Sequence, residues 1–392
     1  MPEDVLMEIL SRIPIKFLLR FKSVSKYWYA LIQSPVFISL HRNRAESKDF
    51  LLVTRQTLCG GQLEDDTVFS MFLVPNQTSP IEDLDLSFAG LHDGDDVKGV
   101  FFLGCHNGVM CLANDITSTI VIFNPAMRES RVLPQPLYET KHRSNLGFTF
   151  DPKANDYKVI RFCSILEFMP FSTFYDEYDV PYGHESLLDY DNYCGDQKVQ
   201  IYDLSTDSWR ETEAVVPKDF PDGSEARGCT SLDGVFYWFG LDFGTGVWGL
   251  SVFRTFEGVF ERITLPDGIC FICDRQLRVL HDSLALVLCM WDNPEGETRI
   301  DIWIMDDNGV NEGWTKRYRI GPFLECHSVL GFLPNFELRL NFDDREMVSY
   351  NLRTHEIKEY NSQLCDRMEL WSVDVQVFQY AESLISVKRR VD

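Results

Sequence analysis

Residues 199–211, VQIYDLSTDSWRE, carry the pattern that decides the fold of this chain. Apolar and polar residues alternate from Val199 to Tyr202, a polar run follows at 203–208, and a second short segment begins at Trp209. Alternation with a period of two is typical of a strand with one buried face, and Asp and Ser favour the turn between two strands. The stretch therefore predicts a strand, a turn and a second strand.

The same pattern recurs at residues 121–134, 251–263, 301–309 and 347–359, each time after another apolar run. The repeating unit thus has at least three antiparallel strands. Equivalent positions Asp203, Arg254, Met305 and Asn351 lie 51, 51 and 46 residues apart, which is the spacing of a kelch-type propeller blade. Dividing the β region, less an insertion of about 30 residues, by this period predicts a mainly β fold with a β-propeller of about six or seven four-stranded blades. A large β-sandwich is the alternative, because the double glycine of kelch repeats is missing.

An acidic insertion at residues 163–197 separates the first two repeats. The interval from Asn124 to Asp203 exceeds the others by about 30 residues, and no Lys or Arg occurs between Phe162 and Gln197. Carboxylates beside tyrosines can pair with Lys and Arg and stack on their side chains, so the insertion is a candidate site for a basic client. The alternative is a solvated loop without a partner. The candidate substrate-binding residues are Asp176, Glu177, Asp179, Glu185, Asp189 and Asp191.

Charge is unevenly distributed along the 392 residues, whose formal net charge is −23. Residues 1–42 hold six Lys/Arg and three Asp/Glu, a balance of +3, so the remainder carries −26. An acidic body argues against nucleic acid and suits a basic protein partner. The eleven cysteines are scattered, without a signal peptide or a long apolar span. We therefore expect free thiols, a cytoplasmic or nuclear location and no membrane contact.

The first 42 residues predict helices instead of strands. Val5, Ile9 and Ile13 lie on one stripe at helical spacing, Pro14 separates a second helix, and a third ends at Ser34-Pro35. Domains below about 40 residues usually need a metal, disulfides or a partner to be stable. The helices therefore imply a partner surface.

Residues 2–37, PEDVLMEILSRIPIKFLLRFKSVSKYWYALIQSPVF, resemble an F-box. The resemblance implies docking on a Skp-type adaptor, which joins a cullin and a RING subunit in a ubiquitin ligase. Packing of these side chains against the C-terminal domain alone is the alternative. The adaptor-contacting residues that the resemblance implies are Pro2, Leu6, Ile9, Leu10, Pro14, Leu18, Leu19, Val24 and Trp28.

A second resemblance covers most of the remaining chain. Residues 123–128, 147–159 and 199–210, with Trp303 and Trp314, are similar to the F-box-associated domain of plant F-box proteins, and among these to the S-locus F-box proteins of pollen. Members of that family bind non-self S-RNases, which are basic pistil ribonucleases, and direct their ubiquitination in self-incompatibility. The resemblance implies an F-box at 1–42 and a substrate-recognition propeller at 50–385. An F-box receptor for a different client is the nearest alternative.

Motifs for catalysis are weak in this sequence. Residues 244–249 fit G-x-G-x-x-G, but a strand pattern follows where a dinucleotide site needs a helix. Cys270 and Cys273 form a lone C-x-x-C without the second pair that a zinc site requires. We therefore predict a receptor that is not an enzyme and has no catalytic residue, metal or cofactor. A lectin-like propeller is a further alternative, in which Trp209, Trp238 or Trp248 would stack on a sugar.

Overall fold

The structure is a computed structural model. It describes residues 2–44, 50–59, 62–73, 82–83, 100–114, 117–138, 145–164, 197–217, 229–242, 247–266, 274–291, 297–307, 312–324, 326–333, 336–342, 347–359 and 380–388. The chain divides into two compact units. The first comprises Met1–Leu133, Phe148–Phe150 and Gly268–Asp392, and the second comprises Pro134–Gly147 and Asp151–Asp267.

Helices open the first unit, as the sequence predicts, but there are four of them within residues 2–44. They are α1 (Glu3–Leu10), α2 (Ile15–Phe21), α3 (Lys26–Ile32) and α4 (Pro35–Arg44). The sequence analysis interpreted Ser34-Pro35 only as a stop. Proline is tolerated in the first turn of a helix, and the Ser34 hydroxyl accepts a hydrogen bond from the Phe37 amide at 3.2 Å, so the same dipeptide also starts α4. None of the described helices is long and apolar enough to cross a membrane.

The described strands form one three-stranded and five four-stranded antiparallel sheets. The three-stranded sheet contains β1 (Phe50–Cys59), β2 (Gln62–Leu73) and β3 (Glu82–Asp83). The first two four-stranded sheets contain β4 (Val100–His106), β5 (Val109–Asn114), β6 (Ile120–Asn124) and β7 (Glu129–Val132), then β8 (Asn145–Asp151), β9 (Asp156–Ser164), β10 (Gln197–Asp203) and β11 (Ser208–Thr212). The third contains β12 (Thr230–Leu232), β13 (Val235–Asp242), β14 (Val247–Arg254) and β15 (Val259–Thr264). The last two contain β16 (Asp274–Leu280), β17 (Ser283–Trp291), β18 (Glu297–Asp307) and β19 (Glu312–Leu324), then β20 (Cys326–Leu333), β21 (Glu337–Phe342), β22 (Met347–Asn351) and β23 (Ile357–Glu359).

Each four-stranded sheet is a meander in which neighbouring strands follow one another along the chain. Asn124, Asp203, Arg254 and Asn351 each end the third strand of a sheet, so the repeats found in the sequence are the turns between third and fourth strands. The turn between β4 and β5 is Asn107-Gly108, with φ of 51° and 75°. Positive φ at both residues is the geometry of a tight hairpin turn, which Asn-Gly favours.

The expected number of blades is wrong: the described residues form five four-stranded sheets, where we predicted six or seven. The estimate assumed that the region from residue 50 to residue 385 follows the repeat everywhere except in the insertion. At its beginning, β1 and β2 instead pair as one long hairpin, from Phe50 opposite Leu73 to Cys59 opposite Gln62, with only the short β3 beside it. At its end, residues 380–388 lie outside the described strands.

Apolar side chains from successive sheets form the cores. In the first unit, one buried cluster joins β17 and β18 to β20 and β21, with Val287, Ile302 and Leu340 at its centre. In the second unit, Phe162 lies between β10, β13 and β14, and its ring meets Trp238 edge to face at a centroid distance of 4.8 Å. Burial on this scale is the main stabilising contribution to the sheets.

Candidate functional site

The four helices share a buried apolar core. Leu384, which is 3% exposed, belongs to this core although it comes from the last residues of the chain. Ala126 and Met127, from the turn between β6 and β7, pack against the same cluster. The helical core is therefore completed by residues that are distant from the helices in sequence, from the β6–β7 turn and from Leu384. Its buried members are Leu10, Ile15, Leu18, Leu31, Ile32, Phe37 and Leu384.

Local sequence explains where the helices begin. Pro2 and Pro14 lie immediately before α1 and α2. Ser25 precedes α3, and its hydroxyl accepts a hydrogen bond from the Trp28 amide at 3.2 Å. Such caps satisfy amide groups that have no partner within the helix. The Trp28 ring then packs edge to face on Phe21, at a centroid distance of 5.3 Å, and joins α3 to α2.

Polar contacts tie α1 to α4. Arg44 donates hydrogen bonds to the Glu8 carboxylate, to the Ser11 hydroxyl at 2.8 Å and to the Glu8 carbonyl oxygen at 3.1 Å. Arg12 donates to the other Glu8 carboxylate oxygen at 2.8 Å. The hydrogen bond from Arg44, supported by that from Arg12, lowers the pKa of Glu8 to about 2. His41 adds a bond from its Nε2 to the Ile13 carbonyl oxygen at 3.1 Å.

The residues that the F-box resemblance implies for adaptor contact fall into three groups. Leu10 and Leu18 are buried in the helical core, so in this structure they stabilise the helices instead of offering a surface. Leu6, Leu19 and Trp28 are partly buried against that core. The exposed members are Pro2, Ile9, Pro14 and Val24.

Further exposed apolar side chains of the helices escaped the sequence analysis. Phe17, Tyr27 and Tyr29 are about half exposed, and Val36 is more so. Val5 and Ile9 belong to the stripe that the sequence analysis identified, and both are exposed, so this stripe of α1 faces outward. Desolvation and the nearby Glu3 carboxylate of α1 raise the pKa of the Tyr27 hydroxyl.

In the sequence, the acidic insertion lies between β9 and β10 of the second unit. These strands pair in continuous register from Lys158 opposite Asp203 to Ser164 opposite Gln197, so the two ends of the insertion lie side by side. The ladder also shows that the repeat resumes in register after the insertion. Residues 165–196 lie outside the described residues, and with them all the candidate client-binding residues: Asp176, Glu177, Asp179, Glu185, Asp189 and Asp191.

Two of the tryptophans considered for sugar stacking belong to the protein core. The Trp209 indole nitrogen donates to the Pro134 carbonyl oxygen at 2.8 Å, and the side chain is buried. Trp238 is also buried, and it stacks on Phe236 at a centroid distance of 5.5 Å. Trp248 is partly exposed. Protein packing therefore accounts for the first two rings and weakens the lectin-like alternative.

Comparisons with known families match nearly the whole chain. A family model described as "F-box domain" matches residues 1–40. A second, described as "F-box associated beta propeller domain", matches residues 62–387. The two matches correspond to the helices and to the strands described above.

Relatives occur among F-box proteins of Arabidopsis thaliana. F-box/kelch-repeat protein At3g17530 is 25% identical over 68% of this chain and 61% of its own length. Putative F-box/kelch-repeat protein At3g17570 is 24% identical over 78% of this chain and 71% of its own length. F-box protein CPR1 is 24% identical over 81% of this chain and 72% of its own length. The match thus spans less than two thirds of the first relative.

Proposed function

This chain belongs to the F-box associated beta propeller family, as an F-box protein with a propeller domain, and on that premise we propose that it is the substrate-recognition subunit of an SCF-type ubiquitin ligase. The helices recruit a Skp-type adaptor, and through it a cullin and a RING subunit. The strands and their connections hold a client protein in the cytoplasm or nucleus. Ubiquitin transfer then follows from the proximity that the complex supplies, so the chain needs no catalytic residue of its own.

This proposal rests on apolar side chains that are exposed on the helices, although the helices already have a buried apolar core. Ile9 is 48% exposed and Val24 is 65% exposed, although Leu384 and the buried leucines of the helices complete the interior. Contiguous exposed apolar surface on a soluble protein commonly marks an interface. We assign direct adaptor contact to the exposed residues Pro2, Ile9, Pro14 and Val24, with Leu6, Leu19 and Trp28 beside them. Leu10 and Leu18 act indirectly, by holding the helices in place.

Binding of a purified Skp-type adaptor to Ile9→Asp and Val24→Asp variants tests the proposal. A charge at an exposed position leaves the helical core intact but must be desolvated in an apolar interface. We expect each variant to weaken adaptor binding at least tenfold, which is about 1.4 kcal/mol. Val215→Asp is the matched control, because Val215 is 84% exposed and lies in the second unit. Adaptor binding that survives undiminished in both helix variants would contradict the assignment.

For the client, we propose a basic protein of the S-RNase class, recognised in pollen as non-self. The support is electrostatic: the chain carries −23 overall, and the sequence between β9 and β10 is rich in Asp, Glu and Tyr without Lys or Arg. Opposite charges accelerate association and favour complementary partners, and added salt screens them. The similarity of this chain to the S-locus F-box family supports the same client.

A direct binding measurement tests the client. The receptor–adaptor complex is titrated with a non-self S-RNase, and in parallel with an unrelated ribonuclease of equal net charge, at low and high salt. One variant neutralises Glu185, Asp189 and Asp191, and the matched control neutralises Glu64, Asp65 and Asp66. We expect salt to weaken S-RNase binding and only the insertion variant to slow its association. Equal binding of the unrelated ribonuclease would contradict the S-RNase assignment, and salt-independent binding would contradict the electrostatic argument.

A further inference from the structure

The last described residues, 380–388, form a segment outside the described helices and strands, which we term the latch. Tyr380, Ser383, Leu384 and Val387 are buried within the first unit. Burial raises the pKa of the Tyr380 hydroxyl far above its ordinary value. The contacts that hold the latch in place identify its role.

Asn124, at the end of β6, holds the latch from one side. Its side chain is fully buried, and its Nδ2 donates to the Ser383 carbonyl oxygen at 3.0 Å, to the Ser383 hydroxyl at 3.2 Å and to the Ile385 carbonyl oxygen at 2.8 Å. Its Oδ1 accepts from the amides of Ala126 and Met127 at 3.0 and 3.3 Å. One side chain therefore organises both the β6–β7 turn and the latch that lies on it.

Three further contacts fix the latch at its ends. Gly108 approaches so closely that a Cβ atom there would lie 2.2 Å from the Ala381 carbonyl oxygen. Toward the other end, the Ser386 hydroxyl donates to Glu129 at 2.6 Å, and Lys388 pairs with the same carboxylate at 4.0 Å. The latch is thus bound to the β4–β5 turn, to the β6–β7 turn and to the start of β7.

Leu384 connects the latch to the helices. It is 3% exposed and belongs to the cluster formed by Leu10, Leu18 and their neighbours, and Ala126 and Met127 pack against that cluster from the same turn that Asn124 organises. Removing a buried leucine both exposes apolar surface and leaves a cavity. The helices, the β6–β7 turn and the latch therefore stabilise one another.

We propose that the latch is a positioning element for the adaptor-binding helices: it completes their core with Leu384 and fixes them on the sheet β4–β7. The end of the chain thereby determines the stability of the helices and the direction in which their exposed apolar side chains face. The expected effect on adaptor binding rests on the proposed function. The expectation that the latch fixes the helices does not depend on the proposed function.

Hydrogen exchange on the full chain, without adaptor, tests fixation by the latch. The variant is Leu384→Ala, and the matched control is Leu352→Ala, which removes an equally buried leucine from the core of β20–β23. We expect Leu384→Ala to accelerate exchange of the α1–α3 amides at least tenfold more than Leu352→Ala does, with the reverse order for the amides of β21 and β22. Exchange in α1–α3 that responds equally to both variants would overturn the proposal, because the effect would then be global.

A gentler variant and an adaptor titration separate the two proposals. Ser386→Glu keeps the core intact but places a second carboxylate against Glu129, so exchange in α1–α3 should accelerate less than in Leu384→Ala, yet measurably. Adaptor binding should weaken in the order Ser386→Glu, then Leu384→Ala, with the Leu352→Ala control close to the unsubstituted chain. If the unsubstituted chain does not bind adaptor, the proposed function fails while the exchange data still decide the latch. If it binds, and Leu384→Ala changes neither exchange nor affinity, the latch proposal fails alone.

Discussion

Three glycines with positive φ provide a graded test of how tightly the latch is packed. Gly108, Gly234 and Gly258 have φ of +75°, +81° and +67°, so alanine suffers similar backbone strain at each position. Their surroundings differ. A Cβ at Gly258 meets nothing within 4 Å, one at Gly234 lies 3.2 Å from Asp151 Cγ, and one at Gly108 lies 2.2 Å from the Ala381 carbonyl oxygen. In the series Gly258→Ala, Gly234→Ala, Gly108→Ala, the steric conflict of the new Cβ atom with its neighbours therefore increases, while the backbone strain stays nearly constant.

The expected loss of stability follows from these contacts. Left-handed geometry costs a residue with a Cβ roughly 1–2 kcal/mol, which is the whole expected effect at Gly258. At Gly108 the latch must also move by about 1 Å, the difference between 2.2 Å and the 3.4 Å at which ordinary contact begins. Overpacking of this kind costs about 1–3 kcal/mol. We therefore expect Gly108→Ala to lower the free energy of unfolding by about 2–5 kcal/mol, with Gly234→Ala between the extremes.

Urea denaturation of the three variants measures these differences, and hydrogen exchange locates them. In Gly108→Ala, faster exchange should extend to the α1–α3 amides, because movement of Ala381 displaces the neighbouring Ser383 and Leu384. In Gly258→Ala, faster exchange should remain within β14 and β15. Equal losses of stability for Gly108→Ala and Gly258→Ala would refute the reasoning, since strain alone would then explain both.

Three further predictions concern polar contacts. Arg44 holds the pKa of the Glu8 carboxyl at about 2 instead of 4.5. The stability that Glu8 contributes is therefore complete above pH 4.5 and is lost as the pH falls through 2. Glu8→Gln should flatten this part of the measured curve of stability against pH. Asn124→Ala should cost about 3 kcal/mol in urea denaturation, because several buried polar groups lose their partner at once, and a loss below 1 kcal/mol would argue against its organising role. Asp301→Ala should cost about 2 kcal/mol, because the nearly buried carboxylate accepts from Arg319 at 2.7 and 2.8 Å; a thermal unfolding midpoint equal to that of the unsubstituted chain would contradict this.

Local signals predicted much of the secondary structure. The stretch around Asp203 is the hairpin that its local pattern predicts, although β10 is buried on both faces, since Gln200 is as buried as Val199 and Ile201. Local patterns predicted the type and the spacing of the repeats in the same way. They did not predict the number of blades. β1 pairs with β2 in one long hairpin instead of following the repeat, and only the strand register shows this pairing.

Local sequence patterns did not predict which side chains of the helices are buried. Helical periodicity predicted that Ile9 and Leu10 lie in one helix. It could not predict which of the two faces the interior, because apolar residues occur on more than one side of α1. That choice depends on what else fills the core. One of those residues is Leu384, whose neighbour Ser383 meets Asn124 across a separation of 259 residues.

The sequence by itself determined that the chain begins with helices, continues with repeated strands, contains an acidic insertion and resembles F-box proteins, because these properties reside in local patterns. Only the tertiary structure decided that Leu10 is buried while Ile9 is exposed, and that Leu384 lies in the core of the helices. Burial and long-range hydrogen bonds depend on which surfaces the folded chain brings together. A pattern within one segment does not contain that information.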